Sequence, residues 1–285
     1  MAQTSSIIDL ATKYNKYPEL KKAVDILKAR NEVTREHIEL LEKYLGSGYF
    51  SSTLSKAISY VGGTGQVMAS SGVLALLKRH GMKPESNVLE IGSGCLLGSR
   101  HILEYQQSSE TIPGKFVGIE PNVWLLDAAR EDPSISDLAR TAIFLHNLNF
   151  DACSLDIKFD YIVSHSILSH AADWQLIQYL TNTTKCLKDD GVSLASLRLT
   201  TPNNYGHAGS DKDESHFKEW VYPGNSYFSL DSIEKSAKSL NLNAKYEPEF
   251  TKIFCDLAKG YTNQKHDWIL FQKRGAPPLL QTPAA

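Results

Sequence analysis

The apolar residues of this chain follow two different spacings, which divide it into two parts. In the first 80 residues they recur every three or four positions, as at Leu20, Val24 and Leu27, and this spacing predicts helices. Further along they gather in short runs separated by helix-length stretches, which is typical of a parallel sheet covered by helices. We therefore expect a helical N-terminal cap over 1–80 and an α/β domain over 81–274.

Seven apolar runs predict the strands of that domain. They are 88–91, 116–119, 142–145, 161–163, 192–197, a run near 244–246, and 268–271. We expect a mostly parallel seven-stranded sheet with helices on both faces, in which the last strand is an antiparallel edge. One helix is predicted over 73–79 and another from Leu96, after the first strand.

The stretch from about 200 to 228 is rich in Pro, Asn, Gly and aromatic residues and has no clear period. Because it is too long for an ordinary connection, it predicts a lid or substrate loop. Its Trp220 and Phe228 either close over a substrate or seat the loop on the core. The tail over 275–285 is expected to be disordered.

Composition narrows the classes of partner. The chain has 285 residues, 22% of them charged, and a formal net charge of -2 with the two signs interspersed, so nucleic acid is not an expected partner. No apolar run reaches the length of a membrane span, and no signal peptide is recognisable, which predicts a cytoplasmic protein without a membrane partner. The cysteines have no C-x-x-C pair, and we expect buried thiols rather than a zinc or redox motif: Cys95, Cys153, Cys186 and Cys255.

The first strand runs into a glycine-rich turn, Glu90-Ile91-Gly92-Ser93-Gly94. Glycines let a backbone approach a ligand closely, so this turn predicts a site for a nucleotide-like molecule. Two features argue against a dinucleotide. The third glycine of the dinucleotide pattern would fall on Leu97, and the Glu90 carboxylate would repel a pyrophosphate. The carboxylate instead favours a cofactor that has positive charge and no phosphate. Glu120, at the end of the second strand, suits the two hydroxyls of a ribose in either kind of cofactor.

Five segments in order resemble the class I (Rossmann-like) S-adenosylmethionine-dependent methyltransferase superfamily. They are Glu90–Gly94, Gly118–Arg130, Phe159–Val163, Ile167–His170 and Leu187–Val192, which resemble the motifs E/D-x-G-x-G, G-x-D/E with a following A-R, F-D-x-V/I, V-L-H-H and L-K-P-G-G. The resemblance covers about residues 85 to 200, with weaker similarity to about 274. It implies S-adenosyl-L-methionine as cofactor and S-adenosyl-L-homocysteine as product.

The resemblance also implies a role for each part of the cofactor site. Glu90 and the backbone of Gly92–Gly94 would face the methionine moiety, and Glu120 the ribose. Pro121 or Asn122 would lie on one side of the adenine ring. On the other side the family's G-D-A segment aligns either with Asn147-Leu148 or with Asp151-Ala152, and spacing favours Asn147.

Methyl transfer is a direct displacement, in which the protein chiefly aligns the reacting atoms. If the acceptor must lose a proton, a histidine suits the task near neutral pH. The carboxyl end of the fourth strand would place Ser164, His165, Ser166 and His170 beside the methyl group, and we favour His170 or His165 as the base. The 200–228 loop adds His207 and His216, of which His216 is a further candidate. No carboxylate follows the fourth or fifth strand, so no metal is predicted.

The predicted function is therefore N- or O-methylation of a small-molecule acceptor, with a homodimer as a possible assembly. An NAD(P)-dependent oxidoreductase is one alternative, although it leaves Glu90 unexplained. A non-catalytic S-adenosylmethionine-binding protein is another. Among methyltransferases, protein and RNA acceptors stay open, and the near-neutral charge makes RNA the weaker of these.

Overall fold

The computed structural model describes several stretches of the chain. They are residues 66–121, 125–126, 129–130, 132–200, 206–207, 226–257 and 266–276. Most of the predicted N-terminal cap, most of the 200–228 loop and residues 277–285 of the tail lie outside the described residues. The predicted domain boundaries therefore stay predictions.

A seven-stranded sheet forms the centre of the described chain. Its strands are β1 (Val88–Ile91), β2 (Phe116–Ile119), β3 (Ile143–Leu145), β4 (Phe159–Ser164), β5 (Leu187–Leu197), β8 (Leu242–Tyr246) and β9 (Asp267–Lys273). Their order is β3-β2-β1-β4-β5-β9-β8, and all neighbours are parallel except where β9 pairs with β5 and β8. This arrangement confirms the predicted mostly parallel α/β sheet.

The last strand, β9, runs antiparallel as predicted, but the prediction that it forms an edge was wrong. It lies between β5 and β8, where Leu270 pairs with Leu194 on one side and with Lys245 on the other. The four consecutive apolar residues 268–271 are all at most 3% exposed, because the strand is covered on both faces. The edge strand on this side of the sheet is β8, in which Asn243 and Lys245 face solvent.

Helices cover both faces of the sheet. They are α1 (Gln66–Arg79), α2 (Arg100–Gln107), α3 (Ser136–Ala139), α4 (Asp173–Cys186), α5 (Leu230–Ser239) and α6 (Pro248–Leu257), with 3₁₀ helices at Cys153–Leu155 and Leu168–His170. The helix predicted to begin near Leu96 begins instead at Arg100. Leu96 has a φ of 64°, a left-handed conformation that a continuous helix excludes, and separate turns connect the glycine-rich turn to α2. No helix in this described part of the chain is long and apolar enough to cross a membrane.

Two apolar cores result, one on each face of the sheet. Along a strand, successive side chains point to opposite faces, so Val88 belongs to one core and Leu89 to the other. Helices α1, α2 and α6 contribute to the first core, while α4 and α5 contribute to the second. Phe228, at the end of the predicted lid, is fully buried in the second core and seats that end of the loop. Just before it, β7 (Ser226–Tyr227) pairs with β6 (Gly206–His207).

The order of the strands also creates a crevice. The chain proceeds from β1 to β2 and β3 on one side, and then returns to place β4 and β5 on the other side of β1. The carboxyl ends of β1 and β4 are adjacent, since Ile91 pairs with Ser164. Ligands of open α/β sheets bind in the crevice outside such a point.

Candidate active site

The glycine-rich turn follows β1 at this crevice. Gly92 and Gly94 have φ values of 76° and 51°, which side chains other than glycine adopt rarely. The N–H groups of Gly92 and Ser93 both donate to the carbonyl of Ile119, at 2.8 Å and 3.1 Å, and so tie the turn to the end of β2. A Cβ atom on Gly92 would lie 2.1 Å from Cδ1 and 2.4 Å from Cγ1 of Ile167, so a side chain there would force Ile167 to move.

Two buried carboxylates lie beneath and beside the turn. Glu120 accepts a hydrogen bond from the Gly94 N–H at 3.0 Å, and Glu90 accepts one from the Ser99 hydroxyl. Each residue is only 5% exposed. Burial, with a smaller contribution from the charge of Glu120, raises the pKa of Glu90 to about 7 even though the Ser99 hydrogen bond opposes the shift. Glu90 is therefore partly protonated at neutral pH, and a cationic ligand would stabilise its ionised form.

Two hydroxyl groups at the same crevice are buried without a hydrogen-bond partner among the described residues. They are Oγ of Ser93, in the turn, and Oγ of Ser164, at the end of β4. A buried polar group without a partner is costly, so both positions are suited to contact a polar ligand. Together with the left-handed glycines and the carboxylates, they fit the cofactor that the sequence predicts.

The loop after β3 brings together the two segments that the sequence offered as alternatives, of which spacing favoured Asn147. The Asn147 side chain donates to the Asp151 carbonyl at 2.9 Å and accepts from the Asp151 N–H at 3.3 Å. His146, before it, contacts the Glu120 carbonyl through Nδ1 at 3.0 Å. Leu148 is 67% exposed, so an apolar side chain is available at this edge of the site.

His165 follows β4 and lies in an aromatic cage. Its ring stacks parallel to that of Trp268, with centroids 5.7 Å apart, and is 5.0 Å from the ring of Phe254. Burial lowers the pKa of His165 to about 4. A histidine with this pKa is a weak base at neutral pH, which favours a structural or cofactor-contacting role for His165 over a catalytic one.

His266 is a site residue that the sequence analysis missed. Its ring centroid is 5.8 Å from that of His165, and its Nδ1 is 3.3 Å from Oγ of Ser196, which accepts the Ser166 N–H at 2.8 Å. Burial, then the charges of His165, Arg198 and His170, lowers the pKa of His266 well below its usual value. The sequence does contain a signal for this position, because His266 directly precedes β9. An antiparallel strand begins at the end of the sheet where the parallel strands finish, so His266 could have been placed near the site.

His170 lies in the 3₁₀ helix after β4 and is 8% exposed. His170 follows the parallel strand β4 and His266 directly precedes the antiparallel strand β9, so both lie at the same end of the sheet. The other catalytic candidate, His216, lies outside the described residues.

Within the part of the chain that the structure describes, three potential metal ligands meet elsewhere: Asp151, Cys153 and Cys186, whose ligand atoms lie within 4.8 Å of one another. Cys95 and Cys186 are buried as expected, whereas Cys255 is half-buried and Cys153 is exposed. The expectation of four buried thiols was therefore wrong for Cys255 and Cys153, the second of which begins a short surface 3₁₀ helix.

Residues 89–193 match the family model of a methyltransferase domain. This segment is therefore similar to a methyltransferase domain. It extends from β1 into β5, so it includes the glycine-rich turn, both carboxylates and His170. His266 lies beyond it. No curated protein matches the sequence.

Solved structures share the methyltransferase fold at low sequence identity. An O-methyltransferase family protein from Burkholderia thailandensis is 12% identical, with a TM-score of 0.53 over 95% of this chain and 72% of that one. An S-adenosylmethionine-dependent methyltransferase from Clostridium acetobutylicum is also 12% identical, with a TM-score of 0.51 over 73% of this chain and 92% of that one. The glycopeptide N-methyltransferase MtfA is 13% identical, with a TM-score of 0.51 over 72% and 96%.

Proposed function

We propose that this methyltransferase transfers the methyl group of S-adenosyl-L-methionine to nitrogen or oxygen of a small-molecule acceptor. One observation carries the proposal: two buried carboxylates, Glu90 and Glu120, meet at a glycine-rich turn in the crevice between β1 and β4. S-adenosylmethionine carries an ammonium and a sulfonium and has no phosphate. Its positive charge would compensate a site that a dinucleotide's pyrophosphate would make still more negative.

Each part of the cofactor has a proposed set of contacts. Glu90, with the backbone of Gly92–Gly94, would hold the methionine moiety, and Glu120 the ribose hydroxyls. The hydroxyls of Ser93 and Ser164 are further donors at the same crevice, with His165 behind them. Pro121, Asn147 and Leu148 would surround the adenine ring, and the exposed side chain of Leu148 supports this placement.

When bound, the cofactor supplies an electrophilic methyl group. The protein's own residues then align the acceptor and exclude water, because direct displacement needs little covalent machinery. His170 is the proposed base for an acceptor that must lose a proton. It lies at the carboxyl end of β4, whereas the lowered pKa values of His165 and His266 make those two residues poor bases at neutral pH. His165 and His266 instead pack in a buried aromatic cluster at this end of the sheet.

A small acceptor is supported by the surroundings of this end of the sheet. Trp268, Phe254 and the two histidines form a buried, largely apolar cluster there, a neighbourhood that suits a compact organic molecule better than a polyanion. The near-neutral net charge of -2 points the same way. A cytoplasmic location, a homodimer and the absence of a metal requirement stay predictions.

Calorimetric titration of the purified chain with S-adenosylhomocysteine, S-adenosylmethionine and NADH tests the cofactor. We expect micromolar binding of the first two and none of the third. Binding of NADH alone would overturn the proposal. A screen of amines, phenols and carboxylates for transfer of a labelled methyl group then tests the acceptor class. Cofactor binding without transfer to any small molecule, but with transfer to protein or RNA, would reject a small-molecule acceptor.

A further inference from the structure

Two cysteines that are 33 positions apart in the sequence meet on the surface of the protein. Cys153 begins the 3₁₀ helix that follows the loop after β3, and Cys186 is the last residue of α4. Their Sγ atoms are 3.0 Å apart. Cys153 is exposed, whereas Cys186 is 2% exposed, so one thiol is accessible to reagents and its partner lies directly beneath it.

We propose that Cys153 and Cys186 form a reversible disulfide, which makes this pair an oxidation site of the protein. The bond requires the two sulfur atoms to approach by about 1 Å, to a separation of about 2.05 Å. Cys153 can make that movement because it lies in a three-residue 3₁₀ helix at the surface, while α4 holds Cys186 in place.

A metal site is the competing interpretation, since Asp151 adds a third potential ligand. Tetrahedral zinc with two thiolates about 2.3 Å away would hold the sulfurs roughly 3.8 Å apart, which is wider than observed. The Asp151 carboxylate is also engaged, because its Oδ1 accepts the Cys153 N–H at 2.8 Å. The sulfur separation therefore favours a disulfide over zinc.

The oxidant would be a low-molecular-weight disulfide, such as oxidised glutathione. The Cys153 thiol loses its proton and attacks one glutathione sulfur; the glutathione S–S bond breaks, and one glutathione leaves as a thiolate that takes up a proton. The Cys186 thiol, after losing its proton, then attacks the Cys153 sulfur and releases the second glutathione. Two electrons pass from the protein to the oxidant, and the reverse reaction restores both thiols.

The pair is expected to react slowly at neutral pH. Burial of the thiol, together with the Cys186 sulfur and Asp151, raises the pKa of Cys153 to about 12, so little attacking thiolate is present. Oxidation should therefore accelerate as pH increases. For this reason the test has to be carried to equilibrium.

The full-length chain is incubated at pH 8 in mixtures of reduced and oxidised glutathione, quenched with iodoacetamide under denaturing conditions, and analysed by intact mass and peptide mapping. The oxidised protein should take up two fewer alkyl groups and yield one peptide pair joined through Cys153 and Cys186. Cys153→Ser and Cys186→Ser should abolish that pair, whereas the control Cys255→Ser should retain it. Closing a loop of this length should also raise the Tm by about 5 °C in the oxidised protein.

Three results would overturn the proposal. They are a wild-type chain that keeps all its thiols alkylatable at equilibrium, one that stops at a glutathione adduct on Cys153, and one in which stoichiometric zinc protects both cysteines. Cys153 is exposed, so its variant should fold, and its Tm checks this directly. None of these measurements needs the cofactor, so a failure of the proposed function leaves their outcome unchanged.

Discussion

The two halves of the candidate site are built in opposite ways. On the β1–β2 side, residues close together in sequence form a turn with two buried carboxylates, and the pKa of Glu90 is raised. On the β4–β5–β9 side, His165 and His266 come from segments about a hundred residues apart, and burial lowers the pKa of both. The first half is a polar turn with two acidic side chains, and the second is a neutral, buried cluster of aromatic rings.

This difference explains how one site could handle two dissimilar ligands. In the proposed function, the two buried carboxylates attract a positively charged cofactor, because the low local dielectric leaves the attraction little screened. The neutral aromatic cluster on the other side exerts no such pull, so there the proposed acceptor would be held by packing rather than by charge. Changes on the first side should therefore alter cofactor affinity, and changes on the second side should alter turnover.

The largest expected effect is on turnover. His170→Ala should lower kcat by about 100-fold for an acceptor that must lose a proton, because a positioned general base contributes at least that much. The affinity for S-adenosylhomocysteine should stay within a factor of two. Steady-state kinetics and calorimetry measure the two quantities, and His101→Ala on α2 is the control. Unchanged kcat in His170→Ala would remove the residue from the role of base.

Next in size is a change to the glycine-rich turn. Gly92→Val should weaken S-adenosylhomocysteine binding by roughly 10- to 100-fold, because the new side chain would displace Ile167 and distort the turn that is proposed to hold the methionine moiety. Gly275→Val is a matched control, because Gly275 also has a positive φ, of 87°, but nothing lies within 4 Å of its Cβ position. Equal S-adenosylhomocysteine affinity in the two variants would show that the turn does not contribute to cofactor binding.

Removing the second carboxylate should have a somewhat smaller effect. Glu120→Ala should weaken S-adenosylhomocysteine binding by about tenfold, the loss expected for a hydrogen bond to a charged group. The exposed Glu110→Ala controls for a change in net charge. If calorimetry gives the same Kd for both variants, Glu120 does not contact the cofactor.

The smallest effect concerns pH. A cationic ligand favours ionised Glu90, so S-adenosylmethionine affinity should rise, by up to about tenfold, between pH 6 and 8. The folded-state pKa of this acid is raised, from 4.5 to about 7, so the ligand-free protein binds protons more tightly than the unfolded chain in that interval. Its stability should therefore fall as pH rises from 4.5 to 7.

Glu90→Gln provides the control for both pH effects. Calorimetry and thermal unfolding across the same pH range should give flatter profiles in this variant than in the wild type. Identical slopes in the two proteins would assign the pH dependence to other groups, such as the amino group of the cofactor.

The contrast between the β1–β2 side and the β4–β5–β9 side also explains which features could be predicted from the sequence. The strands β1, β2, β4 and β5 and the turn at Gly92–Gly94 were predictable, because their signals lie in consecutive residues. The meeting of His165 with His266 was not, because it depends on how β9 enters the sheet. The same applies to Cys153 and Cys186, where spacing along the chain conceals contact in space. The helix predicted from Leu96 begins later because Leu96 adopts a left-handed φ, which the helix propensity of leucine does not predict.

The interior position of β9 also bears on how the protein is made. During synthesis β5 is complete about 70 residues before β9, which at 5–20 residues per second leaves its outer edge unpaired for several seconds. That edge extends along an 11-residue strand whose last seven residues are all buried in the finished sheet. An exposed apolar edge of this kind is a template for aggregation. The nascent chain is therefore expected to be most prone to edge-to-edge association in the interval before its last strand inserts.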